Sequence, residues 1–163
     1  MKVILVTGGT GFIGSHTSLV LLEKGYELII IDSLVNSSNN VINNINNIIK
    51  NNNNRLHFFK GDLRNKSFLR KVFTRVIEMD KEIQAVIHFA GFKSLGESVL
   101  KPLKYWNNNV CSAINLLEVM IEFSCKTLIF SSSASVYGLS ENSKLKEDSN
   151  IGPINPYGKT KHT

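Results

Sequence analysis

Apolar and polar residues along this chain repeat in two periods. Val3–Thr7 is an essentially continuous apolar run, the pattern of a central parallel strand buried on both faces. Residues 13–24 follow with helical spacing and stop at Gly25, a natural C-terminal breaker. Residues 27–31 predict a second strand that terminates at Asp32, and Leu56–Lys60 a third that runs into Gly61-Asp62-Leu63. An amphipathic helix is expected over 67–79 and a fourth strand over 85–89. A helix somewhere within 107–123 then leads to a fifth strand at 127–131. Repeated strand–helix units of this size predict an α/β fold, a Rossmann-type doubly wound parallel sheet covered by helices on both faces.

Between the second and third strands the composition changes. Asparagine occurs 19 times, and 11 of those lie between Asn36 and Asn54. Such tracts first suggest disorder. However, Val41, Ile42, Ile45, Ile48 and Ile49 fall on one helical face. Asparagine is a weak helix former, so packing must hold this segment. A core-facing helix is expected, with a loop at 51–54.

With 163 residues, 42% apolar and 20% charged, the chain has enough material for one domain with a real core, which excludes wholesale disorder. No apolar run approaches the roughly 18–20 residues that span a bilayer. The first nine residues read as a buried strand rather than a leader, because glycines follow the apolar run. Cys111 and Cys125 form neither a disulfide framework nor a metal spacing, which suits a reducing compartment, and both read as core residues. The net charge of +6 is scattered rather than striped, so a solvated surface is expected and not a nucleic-acid face. His16 and His57 read as packing or surface residues, and Trp106 as a packing anchor.

The chemistry begins at the loop Thr7-Gly8-Gly9-Thr10-Gly11-Phe12-Ile13-Gly14, between the first strand and the first helix. Gly8, Gly11 and Gly14 permit a tight turn, close approach of backbone to a pyrophosphate, and close helix–strand packing. Phosphates would lie at the helix N-terminus, where unpaired N–H groups and the macrodipole favour anions. Asp32 ends the second strand 18 residues beyond Gly14. A carboxylate there can bind both ribose hydroxyls and repels a 2′-phosphate, so NAD is expected over NADP. Asp62-Leu63 is placed to contact adenine, although a turn or helix-cap aspartate is the alternative. Tyr157 and Lys161, four apart, share one helix face. A phenol with an ordinary pKa near 10 is a poor base at pH 7, and a neighbouring ammonium stabilises the phenolate. Alone, such a pair is ordinarily a surface feature. Beside a nucleotide fold and the serine-rich strand end Ser131-Ser132-Ser133, it points to acid–base chemistry.

Together TGGTGFIG, HFAGFKSLGESVLKPLKYW, FSSSASVYG and PYGKTK resemble the extended short-chain dehydrogenase/reductase family over essentially the whole chain. Within it the motifs are similar to those of the UDP-glucose 4-epimerases. The related 4,6-dehydratases typically carry a threonine followed by an acidic pair where this chain has Ser133-Ala134-Ser135. The resemblance implies that Phe12 and Ile13 lie along the pyrophosphate, and that Asp32, Ser33, Leu34, Val35, Asn36 and Ser37 surround the adenosine ribose. Asp62 and Leu63 would flank adenine. Phe89, Ala90, Gly91, Phe92 and Lys93 would line the inner edge of the cofactor, with Asn108 beside them. Ser133, Tyr157 and Lys161 match the catalytic triad, and Lys93, Ser133 and Tyr157 would meet substrate; no metal is implied. The activity implied is inversion at C4 of a UDP-sugar through a 4-keto intermediate on bound NAD, in a cytoplasmic homodimer of galactose metabolism.

Asn155 to Thr163 read as the opening of another helix, with Pro156 in its first turn. A strand should follow such a helix. The expectation is therefore that 1–163 is one NAD-binding Rossmann domain, its sheet incomplete at the C-terminal end, without the substrate domain of the family. This chain by itself is not expected to turn over UDP-sugars.

Overall fold

Aliphatic, β-branched and aromatic residues dominate the five strands found among the described residues of a computed structural model, which describes residues 3–49, 54–138 and 144–163. They are β1 (Val3–Thr7), β2 (Glu27–Asp32), β3 (Leu56–Lys60), β4 (Ile83–His88) and β5 (Leu128–Phe130). All pairings are parallel and the order is β3-β2-β1-β4-β5, the arrangement of a doubly wound sheet. β1 is central, with Val3 opposite Glu27 on one side and Ile83 on the other.

Alternation along the strands feeds two cores. Val3, Leu5, Ile29 and Ile31 face one way, into a cluster completed by Leu69, Val72 and Phe73 of α3 (Lys66–Glu78) and Leu116 and Val119 of α6 (Ser112–Glu122). Ile4, Val6, Leu28 and Ile30 face the other way, toward Leu22 of α1 (Phe12–Glu23) and Ile42 and Ile45 of α2 (Asn40–Ile48). Both faces of the sheet are thus covered, as the unbroken apolar strands require.

The asparagine-rich segment is the expected helix, with one correction. Ile42 and Ile45 are buried and Val41 and Ile49 pack partly against them, but Ile48 is 59% exposed. Nine helical residues give only a narrow contact stripe, and Ile48 falls off its edge. Of the loop expected at 51–54, only Asn54 is among the described residues; it has φ 57°.

Two further expectations change. Cys111 is exposed, whereas Cys125 is buried. The segment after β4 also holds more helix than its pattern predicts: α4 (Leu95–Leu100) and α5 (Pro102–Tyr105), running into a π-helical turn over Trp106–Cys111 before α6. Six and four residues are too few for periodicity to register. The fully buried aromatic here is Tyr105, while Trp106 is only half-buried.

At the foot of the sheet Glu27 is almost fully buried, with Oε1 2.8 Å from His57 Nε2 and 2.5 Å from Lys81 Nζ. Burial pushes its carboxyl up, but the hydrogen bonds and charges of Lys81 and His57 outweigh that and hold it below the ordinary value. His57 is therefore a hydrogen-bond partner of a buried carboxylate and more than a filler.

The residues group into two compact units. One comprises Met1–Ala90 and Asn115–Ser131 and contains the sheet. The other comprises Gly91–Ile114 and Ser132–Thr163, and contains α4, α5, a 3₁₀ turn (Ala134–Val136) and α7 (Pro156–His162).

Candidate active site

In the sheet unit, the candidate nucleotide loop leaves β1 at Gly8, whose φ is +68° and whose hypothetical Cβ would lie 2.6 Å from the Ala90 nitrogen. Only glycine combines that backbone conformation with that approach. Gly14, in the first turn of α1, is as constrained: a Cβ there would meet the Gly8 carbonyl oxygen at 2.3 Å. Gly9, which the motif reading passed over, would drive a Cβ to 2.6 Å from Ile30. Gly11 is the loosest of the four, with its nearest contact at 3.3 Å. It is the N-cap of α1 and supplies no capping side chain, so the first-turn N–H groups are left for an external acceptor. Phe12 and Ile13 are 76% and 57% exposed at that helix start.

Asp32 ties this loop to the next. Its Oδ2 accepts from the Thr10 N–H (3.1 Å), and its Oδ1 accepts from the Leu34 N–H (2.9 Å) and the Ser37 hydroxyl (3.2 Å). Ser37 Oγ also lies 2.7 Å from Thr10 Oγ1. Three bonds leave carboxylate capacity for a further donor such as a ribose hydroxyl. Leu34 sits at φ 60°, a strained value for a leucine, within a segment where Ser33 is half-buried and Val35 and Asn36 are exposed.

Asp62 makes the local contacts of a turn. Its carbonyl accepts from the Asn65 N–H (3.0 Å), and its carboxylate pairs with the Arg64 guanidinium at 2.5 Å. That hydrogen bond, opposed by burial, holds the Asp62 carboxyl below its ordinary value. The Leu63 side chain belongs to the core, so its outward offering is main chain. At the end of β4, the Phe89 N–H donates to the Thr7 carbonyl (3.0 Å) and the Ala90 N–H lies 3.4 Å from Thr7 Oγ1.

The second unit brings Tyr157 and Lys161 onto one short helix, α7, with Asn155 capping the Gly158 N–H (2.8 Å) and Pro156 opening the first turn. Tyr157 is buried, and Tyr105 packs edge-on to its ring at 6.5 Å and 81°. The Tyr105 hydroxyl donates to Glu97 (3.0 Å) and accepts from the Ser94 N–H (3.1 Å). Burial and the Glu97 carboxylate push that phenol above its ordinary value, keeping it a donor. Burial also pushes the Lys161 ammonium down. Ser133 is half-buried at the start of the 3₁₀ turn; its Oγ accepts from the Ser135 N–H (3.2 Å) and retains its own proton to donate. A Cβ on Gly158 would lie 2.5 Å from the Ser135 carbonyl oxygen, so the turn after Ser133 and the helix carrying Tyr157 meet closely through a glycine.

Around the Gly91–Lys93 segment, Phe92 is half-buried, with the Lys104 ammonium 4.7 Å above its ring, and Lys93 is exposed. Asn108 is half-buried and donates to Asn109 (3.1 Å). The buried amide is Asn109, which sequence reasoning did not single out: three consecutive asparagines look alike until a π turn selects one. Among the described residues no three His, Cys, Asp or Glu side chains gather as a metal site. No described helix is long and apolar enough to cross a membrane.

Similar proteins fit this geometry. The chain is 48% identical over 98% of its length to UDP-glucose 4-epimerase 2 of Arabidopsis thaliana, and 46% over 97% to UDP-glucose 4-epimerase of Bacillus subtilis (strain 168). It spans 44% of each of those relatives. Among solved structures, UDP-glucose 4-epimerase of Bifidobacterium longum, in complex with NAD+ and UDP, superposes with a TM-score of 0.90 at 40% identity. That alignment covers 99% of this chain and 46% of the other. The family described as GDP-mannose 4,6 dehydratase matches residues 5–163. By that match this chain belongs to the GDP-mannose 4,6 dehydratase family among the extended short-chain dehydrogenases/reductases, with 4-epimerases among its similar relatives.

Proposed function

We propose that the protein is a UDP-glucose 4-epimerase, interconverting UDP-galactose and UDP-glucose with NAD retained throughout. The observation that carries this reading is the 4-epimerase similarity, which runs through 98% of the chain and includes both candidate residue groups. The dehydratase description of the family offers a second reading, but Ser133-Ala134-Ser135 lacks an acidic pair to assist elimination of water.

The residues fit a dinucleotide. Gly8, Gly9 and Gly14 stand where a Cβ would collide, which leaves the loop backbone open to a pyrophosphate at the uncapped start of α1. Asp32 keeps acceptor capacity for ribose hydroxyls, and its charge disfavours a 2′-phosphate. Asp62 and Leu63 contribute on the adenine side, and Phe89 to Lys93 with Asn108 along the inner edge. A nicotinamide bound there would supply a reversible hydride acceptor for the sugar C4.

The chain's own residues manage the proton. Tyr157 removes it from the sugar 4-hydroxyl and gives it back after the 4-keto sugar has turned over. Ser133 donates a hydrogen bond to the same oxygen and relays the proton. Lys161, four residues along the same helix, favours the ionised phenol and holds the ribose next to the nicotinamide. The test is conversion of UDP-galactose by the whole protein with NAD present. Tyr157→Phe should lower turnover by about 10²-fold or more while NAD binding persists. Turnover near wild type in that variant would refute the assignment.

A further inference from the structure

The turn between β3 and α3 is held from three sides, all within the sheet unit. At its start the Gly61 N–H donates to the Asp32 carbonyl (3.0 Å), which joins it to the residue read as the ribose ligand. Across it the Asn65 N–H closes on the Asp62 carbonyl (3.0 Å), and the Arg64 N–H donates to Asp62 Oδ1 (2.9 Å). From outside, Asn115 of α6 donates through Nδ2 to the Leu63 carbonyl (3.3 Å) and the Arg64 carbonyl (2.9 Å). Both partners are acceptors, so the amide must present its NH2 group. The Leu63–Arg64 peptide is therefore pinned twice, its C=O by Asn115 and its N–H by Asp62. Neither residue takes a positive φ, which excludes the flipped central peptide of a type II turn. Asn115 also opens a polar seam along α6. Glu118 pairs with Lys66 (2.9 Å), and Glu122 with Lys66 (3.3 Å) and Arg70 (2.7 Å), so the seam runs at i, i+3 and i+7. The ion pairs are surface contacts of small worth, and Asn115 is the member that grips main chain.

We propose that Asn115 is a positioning residue for the base of the nucleotide: by fixing the Leu63–Arg64 peptide from α6, it sets the preference of this turn for adenine. The inference rests on the reading of Asp62 and Leu63 as the adenine side, and on these contacts for its geometry. The Asp62 carbonyl points inward to Asn65, and in a trans peptide that directs the Leu63 N–H outward. The Asp62 side chain is 37% exposed even with Arg64 bound to it, so a base can reach the carboxylate. The pairing edge of adenine carries an amino donor next to a ring acceptor, and a carboxylate beside a main-chain N–H is its complement. Hypoxanthine has an oxygen in place of that amino group, which a carboxylate repels. Without Asn115 the central peptide is free to rotate, the Arg64 N–H leaves Asp62 Oδ1, and the carboxylate loses the aim that tells the two bases apart.

The test uses the whole protein stripped of nucleotide, with Kd measured by calorimetry for NAD and for nicotinamide hypoxanthine dinucleotide. Wild type should prefer NAD by about 10-fold or more, the worth of a hydrogen bond to a charged group. Asn115→Leu, similar in size without the donor, should cut that ratio by about threefold or more. Asn115→Asp, which sets a carboxylate against two carbonyls, should cut it at least as far. Glu122→Gln breaks ion pairs of the same seam and should leave the ratio unchanged. A general loss of stability weakens both ligands alike, so the ratio separates positioning from mere folding. An unchanged ratio in both Asn115 variants overturns the proposal. So does an equal fall in Glu122→Gln, because docking of α3 on α6 would then suffice. Amide hydrogen exchange supplies a readout without ligand: the Arg64 N–H should exchange faster in Asn115→Leu while amides of β1 keep their protection. Unchanged Arg64 protection overturns the grip. A wild-type ratio near one would instead overturn the adenine reading of Asp62, and the Arg64 exchange would still judge the grip.

Discussion

Replacing Gly14 with alanine tests whether the loop after β1 is a nucleotide cradle or an ordinary turn. The new methyl would start 2.3 Å from the Gly8 carbonyl oxygen and 2.8 Å from the Gly9 Cα. Both obstacles are main chain, so no side chain can swing aside, and the loop must retreat by about 1 Å to reach ordinary contact distance. Overpacking of this kind costs about 1–3 kcal/mol. The better helix propensity of alanine offsets about 0.5–1 kcal/mol, leaving a net loss of about 0–2.5 kcal/mol. Ligand binding should suffer more, because the displaced backbone is the part that would face the pyrophosphate. A drop of about 10-fold in NAD affinity, about 1.4 kcal/mol, is expected by titration calorimetry. Gly96 in α4 is the control, since a Cβ there meets nothing within 4 Å. Gly96→Ala should gain about 0.5–1 kcal/mol in thermal unfolding and leave NAD affinity unchanged. Wild-type affinity in Gly14→Ala, with an unfolding temperature no lower than wild type, would refute the cradle.

Asp32→Ala should narrow the preference for NAD over NADP, measured as the ratio of Kd values, and an unchanged ratio would contradict its charge-based role. Glu27→Gln should destabilise the protein by about 1–3 kcal/mol at pH 7, since Lys81 and His57 lose a charged acceptor. Because the folded carboxyl lies below its ordinary 4.5, that stability is present above about pH 4.5 and is lost as pH falls through the folded value; denaturant titrations of both proteins should converge there. Ile45→Ala should cost about 2–5 kcal/mol, and Ile48→Ala less than about 0.5 kcal/mol, in urea unfolding. Equal costs would mean that α2 packs through a different face.

The sequence revealed most where one force acted alone. The two central strands, β1 and β2, are buried throughout and read as apolar runs, and the glycine spacing marked the loop that β1 feeds. Legibility failed where several weak effects compete. α4 and α5 are too short to show a period, and their boundary rests on the Ser94 cap and Pro102. Ile48 obeys the helical pattern and still faces solvent, because pattern gives direction along a helix but not the width of what lies opposite. Cys111 lies on the exposed side of the π turn, a shift of phase that no count of 3.6 residues anticipates. The same turn decides that Asn109 is the interior amide. Tyr157, Lys161 and Ser133 were legible as candidates; the contacts around them, such as the Tyr105 ring packed edge-on to Tyr157, were not.

The central place of β1 sets the order in which this sheet can assemble. Its register with β2 joins residues 24 apart, Val3 with Glu27, while its register with β4 joins residues 80 apart, Val3 with Ile83. Closing the longer loop costs about 1 kcal/mol more in chain entropy. On a ribosome the difference is one of time as well, since β4 leaves the exit tunnel long after β2 has been free to pair. Until then one edge of β1 has no partner, and Ile4 and Val6 have only α1, β2 and α2 to shield them. Nascent chains halted before residue 83 should therefore recruit chaperones more strongly than chains carried past 88, which makes arrival of the fourth strand the committing event in biosynthesis.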